Sequence, residues 1–294
     1  IQNAATLYTT KVYTDRKVAV LGDTTKILIA QSNRSLPALR AHNTTIDVAG
    51  SDLSAALDIA SQKDAAARAA LMADANLKAL LNVVPASDLK LADLGQPQPI
   101  SREQLVNALA NAPRTRPDLL ALKAGYHAQE ESVRTAILQQ FPAINLGYNH
   151  ATDTSDIHTN GLSVTLNIPI FGSTRAKIRT ERATRAQLRA EYQARLDSTE
   201  ADAWRIWQAL NLLRAQVDRL SEKLPELRRM AQTGRQAYAA GNLRPATYVL
   251  LQTTLSARES ELLDLESTLW TDTIALKTLL AMPLIMPESE KGQK

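Results

Sequence analysis

The chain has 294 residues, of which 45 % are apolar but only 4 % aromatic, and it carries a net charge of +4. The absence of cysteine excludes disulfides and thiolate metal sites, and no run of about 18 apolar residues is present to form a transmembrane helix. The basic excess is interspersed with acids and lacks interleaved stacking aromatics, which argues against nucleic acid as a partner.

Ala, Leu, Gln, Glu and Arg dominate the long segments, a composition of extended helices packed through small side chains. Residues 1–84 are expected to form a helical hairpin. Its first arm runs through Val12, Val20, Ile27 and Leu28 to Leu39, with Gly22 and Pro37 as weak points. Ala49-Gly50 is expected to break the arm, and Asp52 to cap the alanine-rich return arm. Residues 85–113 hold a linker, marked by Pro85, Gly95, Pro97 and Pro99, and then a short helix. Ser101 and Gln104 make a capping box for that helix, which is expected to end near Asn111.

A second repeat is read over 114–282. It opens with RPDL (116–119), where Pro117 occupies a first helical turn that needs no N–H from it, and this helix is expected to run to about Gln140. Strands are predicted at 142–150 and 161–170. Ile144, Leu146 and Tyr148 alternate with Asn145, Gly147 and Asn149, and Leu162, Val164, Leu166, Ile168 and Ile170 alternate with Ser163, Thr165 and Asn167. A period of two gives each strand one apolar and one polar face. Each strand is roughly ten residues long, the span a tilted strand needs to cross a bilayer. One hairpin cannot close on itself, and open edges are not tolerated in lipid, so a membrane-spanning pair requires strands from elsewhere.

After Gly172 no glycine occurs until Gly234, and one long helix is predicted over 174–239. Its inner face follows Trp207, Leu210, Leu213, Val217, Leu220, Leu224 and Leu227 at steps of three and four, the seam of a coiled-coil-like packing. Pro225 is expected to kink this helix without ending it. Ala240-Gly241-Asn242 forms a turn, a second long helix covers 245–282, and the polar tail 283–294 is expected to be loose. An internal repeat pairs LPALR (36–40) with LPELR (224–228), Gly50 with Gly241, and KALLNV (78–83) with KTLLAM (277–282). That alignment leaves the second hairpin about eleven residues longer, close to three helical turns.

His150, Asp153, Asp156 and His158 cluster in the loop between the strands and are of metal-ligating type. Solvated loops carry Asp, Thr and Asn for turn reasons alone, so neither a metal nor a cofactor is assigned. His42 and His127 read as surface groups, and Trp204, Trp207 and Trp270 as packing residues. No phosphate loop, dinucleotide fingerprint, zinc-protease motif or nucleophile elbow occurs, so no enzyme is assigned.

The order of RPDL, a strand of the type FPAINLGYN, NIPIFG (167–172) entering a long helix, the turn YAAGNL (238–243) and the closing WTDTIALKTLLAM (270–282) resembles the TolC-like outer membrane efflux proteins over essentially the whole chain. The resemblance implies a mainly α fold with a β-hairpin. Long antiparallel helical hairpins would form an α-barrel segment, and two strands would contribute to a trimeric transmembrane β-barrel. It further implies a homotrimer in the bacterial outer membrane with a periplasmic helical extension. Such a trimer is a passive duct of a tripartite efflux system, exporting small molecules or metal cations with a periplasmic adaptor and an inner-membrane pump.

On this resemblance Ile144, Leu146, Leu162, Val164, Leu166 and Ile168 would face outer-membrane lipid, and Asn145, Ser163, Thr165 and Asn167 would line a wet lumen. Phe141, Tyr148 and Phe171 would sit at the aromatic girdle. Ala240, Gly241, Asn242 and Leu243, with Gly50, Ser51 and Asp52 from the first repeat, would be the adaptor-docking tips. Family chains hold two repeats, each with its own β-hairpin; the first repeat here starts inside its long helix, so the chain is expected to be incomplete. Leu36-Pro37 and Leu224-Pro225 are similar to the heavy-metal cation branch, while drug and solvent branches stay open. The alternative is a soluble periplasmic helical-hairpin adaptor or scaffold, which would need no detergent.

Overall fold

The computed structural model describes residues 2–152, 157–167 and 173–284. Its elements, in chain order, are α1 (Gln2–Arg40), α2 (Ile46–Leu81), α3 (Arg102–Thr115), α4 (Pro117–Leu138), β1 (Ala143–Thr152), β2 (His158–Asn167), α5 (Ser173–Ala239) and α6 (Pro245–Leu279). The fold is mainly helical, with one two-stranded antiparallel sheet. It divides into two compact units, one made of Ile1–Leu105 and Ala203–Lys294, the other of Val106–Asp202. These units cut across the linear repeats, because α3 and α5 each contribute residues to both.

In the first unit the buried positions of α2 are Ala49, Asp52, Ala56, Ile59, Ala66, Ala70, Ala73 and Leu77. They recur at steps of three, four and seven, a heptad seam in which alanine permits close approach of the neighbouring helix. Leu21 and Leu28 of α1 answer it, fully buried beside Ala56, Ile59, Ala66 and Val249 of α6. Burying each such leucine contributes about 1.5–3 kcal/mol, so a chain poor in aromatics still builds a core. On α5, Ala203, Leu210, Val217, Leu224 and Ala231 are buried, one per heptad. Pro225 in α5 and Pro37 in α1 end neither helix.

The first hairpin turns at 41–45 and not at Ala49-Gly50. Gly50 and Ser51 lie inside α2, and Asp52 is no cap: it is buried in the α1–α2 seam, 1 % exposed. Thr45 takes the N-cap position with extended backbone, φ −90° and ψ 158°. The sequence misleads here because the left-handed residue of the turn is His42, at φ 61°, and not a glycine. His42 N–H donates to Leu39 O at 3.0 Å and Asn43 N–H to Ala38 O at 2.8 Å, the paired bonds of a Schellman end.

The second hairpin repeats this turn residue for residue. Gly241, at φ 75°, donates to Tyr238 O at 3.0 Å, and Asn242 to Ala237 O at 2.8 Å. The same offset separates the far ends of the return arms, where Asn82 (φ 53°) corresponds to Ala281 (φ 51°). Ala41-His42-Asn43 therefore matches Ala240-Gly241-Asn242, in one register with KALLNV and KTLLAM. The return arms have nearly equal lengths, 36 and 35 residues. LPALR and LPELR do not correspond: the first is the last turn of α1, the second stands about three turns before the end of α5.

A single residue, Arg116, separates α3 from α4. Because Pro117 follows it, Arg116 is held extended (φ −79°, ψ 123°), and α3 cannot run through. The capping box closes in both directions: Ser101 N–H donates to Gln104 Oε1 at 2.9 Å and Gln104 N–H to Ser101 Oγ at 3.1 Å. The helix continues past the expected end at Asn111 to Thr115. Asn111 and Thr115 bond back to the carbonyls of Asn107 and Asn111, at 2.9 and 3.2 Å, and Ala112 is buried beside them.

Candidate functional site

The strands pair in a continuous register from Ala143↔Asn167 to Thr152↔His158. Pairing thus runs further toward the turn than positions 150 and 161, because Thr152 and His158 bridge side chain to side chain at 2.9 Å. Ile168, Asp153, Asp156 and Phe171 lie outside the described residues. Ile144 faces Leu166, Leu146 faces Val164, and Tyr148 faces Leu162. These six side chains share one face, and all are exposed, from 50 % at Leu166 to 88 % at Leu162. The opposite face carries Asn145 against Thr165 and Gly147 against Ser163. A Cβ at Gly147 would stand 2.7 Å from Ser163 Oγ, so glycine is what lets Ser163 lie across the strand and donate to the Gly147 carbonyl at 3.3 Å.

Beyond Tyr148 the apolar face becomes polar. Tyr148 OH donates to Asn160 Oδ1 at 2.8 Å, and His150 Nδ1 lies 2.5 Å from the same oxygen. The His150 and His158 rings stack with centroids 5.8 Å apart. The two histidines of the loop cluster are thus members of a hydrogen-bonded band at the turn end of the sheet. Among the described residues no group of three or more His, Asp, Glu or Cys side chains converges. No described helix is long and apolar enough to cross a membrane.

In the same unit, RPDL is a clamp. Arg116 is 7 % exposed. It donates from Nε to Asp118 Oδ1 at 3.0 Å, from Nη2 to Asp118 Oδ2 at 2.6 Å, and from Nη1 to Thr199 Oγ1 at 2.9 Å. Arg195 Nε of α5 reaches Asp118 Oδ2 at 2.9 Å, and Leu119 is fully buried. The Arg116 guanidinium, seconded by Arg195, holds the Asp118 carboxyl well below the usual carboxylate range. Nearby, Lys123, Tyr126, His127, Arg189 and Tyr192 line an open cleft of about 300 Å³.

In the first unit the proline-rich linker is laced to the helices by side-chain donors. Trp270 Nε1 donates to Gly95 O and Trp207 Nε1 to Ile100 O, both at 2.8 Å, while Arg214 reaches Pro97 O at 3.0 Å. Tyr8 OH donates to Ala92 O at 2.7 Å, and Arg16 pairs with Asp93. Trp204 packs edge-on to Trp207 and beneath the Arg102 guanidinium. Burial pushes the Tyr13 phenol up to about 12, and burial also raises the half-buried Glu266, against the opposing pull of Arg16 and with added repulsion from Asp93.

Near the turns of the two hairpins, Tyr238 OH donates to Gln31 Oε1 at 2.7 Å, and Gln31 Nε2 donates to the buried Asp52 at 2.9 Å. Tyr238 also stacks on Tyr248 at 4.5 Å. Of the sequence-predicted tip residues, Ala240, Gly241 and Asn242 are exposed at the α5–α6 turn. Leu243 folds back toward Gly234, where a Cβ would lie 3.6 Å from it. The equivalent turn of the first hairpin presents Ala41, His42 and Asn43 instead of Gly50 and Ser51. Sequence reasoning missed Gln31, Arg195 and Thr199 and the contact that Tyr238 makes, whose partners are distant in the chain; RPDL and the turn YAAGNL were the local signals.

The family profile described as outer membrane efflux protein matches residues 107–282. The solved outer-membrane channel OprN superposes on 96 % of this chain and 66 % of its own, with a TM-score of 0.82 and 15 % identity. The outer membrane protein VceC of Vibrio cholerae covers 97 % of this chain and 70 % of its own, with a TM-score of 0.80 and 13 % identity. The MtrE outer membrane channel of Neisseria gonorrhoeae, in its open state, covers 96 % and 65 %, with a TM-score of 0.79 and 16 % identity. At these identities the likeness is one of fold, and the chain spans about two thirds of the length of OprN and MtrE. No curated protein matches the chain significantly.

Proposed function

The chain belongs to the outer membrane efflux protein family, an outer-membrane transport family and not a family of enzymes, and from that premise we propose that it is a subunit of a passive, trimeric export duct. The observation that carries this reading is the hairpin. Its two strands have ten residues each, expose a continuous apolar face, and among the described residues pair only with each other. Such a ribbon is stable in lipid only inside a closed barrel. Strands from elsewhere complete that barrel, because the single described hairpin from each of three copies is too few to close one. Ile144, Leu146, Leu162, Val164, Leu166 and Ile168 meet lipid, and Asn145, Ser163, Thr165 and Asn167 line the lumen. Tyr148, at the change from apolar to polar, sits at the interface level.

The helical turns dock a periplasmic adaptor, which links the duct to an inner-membrane pump of a tripartite system. At the second turn the docking residues are Ala240, Gly241, Asn242 and Leu243. Gly50, Ser51 and Asp52 were the expected counterparts; the matched register favours Ala41, His42 and Asn43, with Gly50 and Ser51 on the adjoining turn of α2 and Asp52 buried behind them. The lumen strands carry uncharged amides and hydroxyls, so selection there is coarse, and the cargo class is small molecules or metal cations.

Fractionation of the complete gene product in its native cell tests the reading, with heat-modifiability of the outer-membrane fraction followed on gels. A detergent-extracted trimer supports the duct. A monomer or dimer released by osmotic shock sinks it in favour of a soluble periplasmic scaffold.

A further inference from the structure

The start of α5 concentrates positive charge. From Ser173 to Arg189 it holds Arg175, Lys177, Arg179, Arg182, Arg185 and Arg189 against one acid, Glu181, an excess larger than the +4 of the whole chain. Basic residues at a helix N-terminus oppose the macrodipole, and the first turn carries no acid to offset them. Two of the six have local partners: Lys177 donates to Gln139 at 3.0 Å, and Arg185 lies 3.9 Å from Glu130 of α4. Arg175, Arg179 and Arg182 differ. They are exposed, their guanidinium groups have no hydrogen-bond or ion-pair partner among the described residues, and their steps of four and three place them on one face of the helix.

We propose that Arg175, Arg179 and Arg182 form a docking stripe for the phosphate groups of anionic phospholipid in the periplasmic leaflet of the outer membrane. The inference rests on the membrane-spanning reading of the hairpin. Arg175 follows the last described strand residue, Asn167, by eight positions, and all three arginines lie within about 14 Å of the helix start. The headgroup layer is roughly 5–8 Å deep on each side of a bilayer, and long arginine side chains reach toward it. Guanidinium pairs with phosphate through two parallel hydrogen bonds, which suits three arginines without partners among the described residues. The stripe fixes the depth at which helix gives way to strand, and it couples the duct to the charge of the leaflet.

The test is flotation of the full chain with vesicles of phosphatidylethanolamine alone or mixed with phosphatidylglycerol. The intact chain is compared with Arg175→Gln/Arg179→Gln/Arg182→Gln, with the triple lysine replacement, and with a control neutralised at Arg219, Arg229 and Arg235. The expected result is capture by both vesicle types, about tenfold stronger with phosphatidylglycerol. That preference disappears in the glutamine triple and in high salt, and is largely kept by the lysine triple and the control. Equal capture by both vesicle types, unchanged by the glutamine triple, overturns the stripe and leaves the membrane reading standing. Loss of the preference in the control as well assigns it to bulk charge and also overturns the proposal, as does retention on purified peptidoglycan in place of anionic vesicles. Capture by neither vesicle type is the separate outcome that removes the membrane reading and the stripe with it.

Discussion

Arg116 and Asp118 grip each other across the first turn of α4, Nε to Oδ1 at 3.0 Å and Nη2 to Oδ2 at 2.6 Å. Pro117 between them fixes the extended-to-helical step that brings the two side chains together. Asp118 lies one residue inside the helix, where its charge also favours the positive end of the dipole. Removing it leaves a buried guanidinium with only part of its hydrogen bonding.

Asp118→Ala is therefore expected to lower stability by about 2 kcal/mol at neutral pH, read from denaturant unfolding followed by circular dichroism. The folded carboxyl titrates below the ordinary value of about 3.9. Its stabilisation is complete above that pH and is lost as pH falls through the lowered value. Asp118→Asn should accordingly flatten the acid limb of the stability profile; an unchanged limb would remove the clamp from the account.

Glu266 predicts the opposite slope. Burial raises its carboxyl, so the folded chain holds this proton to higher pH than the unfolded chain does. Stability then falls as pH rises from about 4.3 through the raised value. Glu266→Gln is expected to raise the Tm at about pH 7 and to leave it unchanged at about pH 4. An equal effect at both values would point to packing instead of charge.

The matched turns give a reciprocal pair. Gly241→Ala forces a side chain into the left-handed region at φ 75° and His42→Gly relieves one at φ 61°. The first should cost about 1 kcal/mol, and the second should gain a similar amount. Thermal unfolding of the two single variants checks this, and effects of the same sign would break the correspondence between the turns.

The two faces of the hairpin should differ sharply toward charge. Leu146→Arg is expected to cost roughly 2–4 kcal/mol if that position meets lipid and to abolish outer-membrane assembly of the full-length protein. Ser163→Arg should still assemble. Equal recovery of both variants as heat-modifiable outer-membrane protein would reverse or remove the assignment of faces.

Much of this architecture was legible because local rules and tertiary packing agreed. Ser101 and Gln104 close the box their spacing announces, Pro117 stands at the first helical position, and the heptad through Leu210, Val217 and Leu224 is buried as its period requires. The first turn was misread where they disagreed. Gly50 carries the stronger breaker signal, but a Cβ there would touch nothing within 4 Å, and the helix simply continues through it. His42 accepts the left-handed conformation without being a glycine, since two helix-end hydrogen bonds hold it there. Asp52 looked like a cap because it is polar near a glycine; its partner, Gln31, becomes visible only once α1 and α2 are side by side. The Arg175, Arg179 and Arg182 stripe was masked by a nearly balanced total charge, and it needed the positions of neighbouring acids to stand out.

All three tryptophans of the chain lie against one stretch of backbone: Trp270 on the Gly95 carbonyl, Trp207 on the Ile100 carbonyl, and Trp204 packed on Trp207 under Arg102. The protein consequently carries a built-in optical probe confined to a single place. Its tryptophan fluorescence, excited selectively at the red edge where tyrosine does not absorb, is blind to the strands and to the helical turns, and reports on the linker where it is fastened to α5 and α6. Fluorescence at both room temperature and under load from an added partner can therefore separate a motion that unfastens this girdle from one that leaves it closed, without any label.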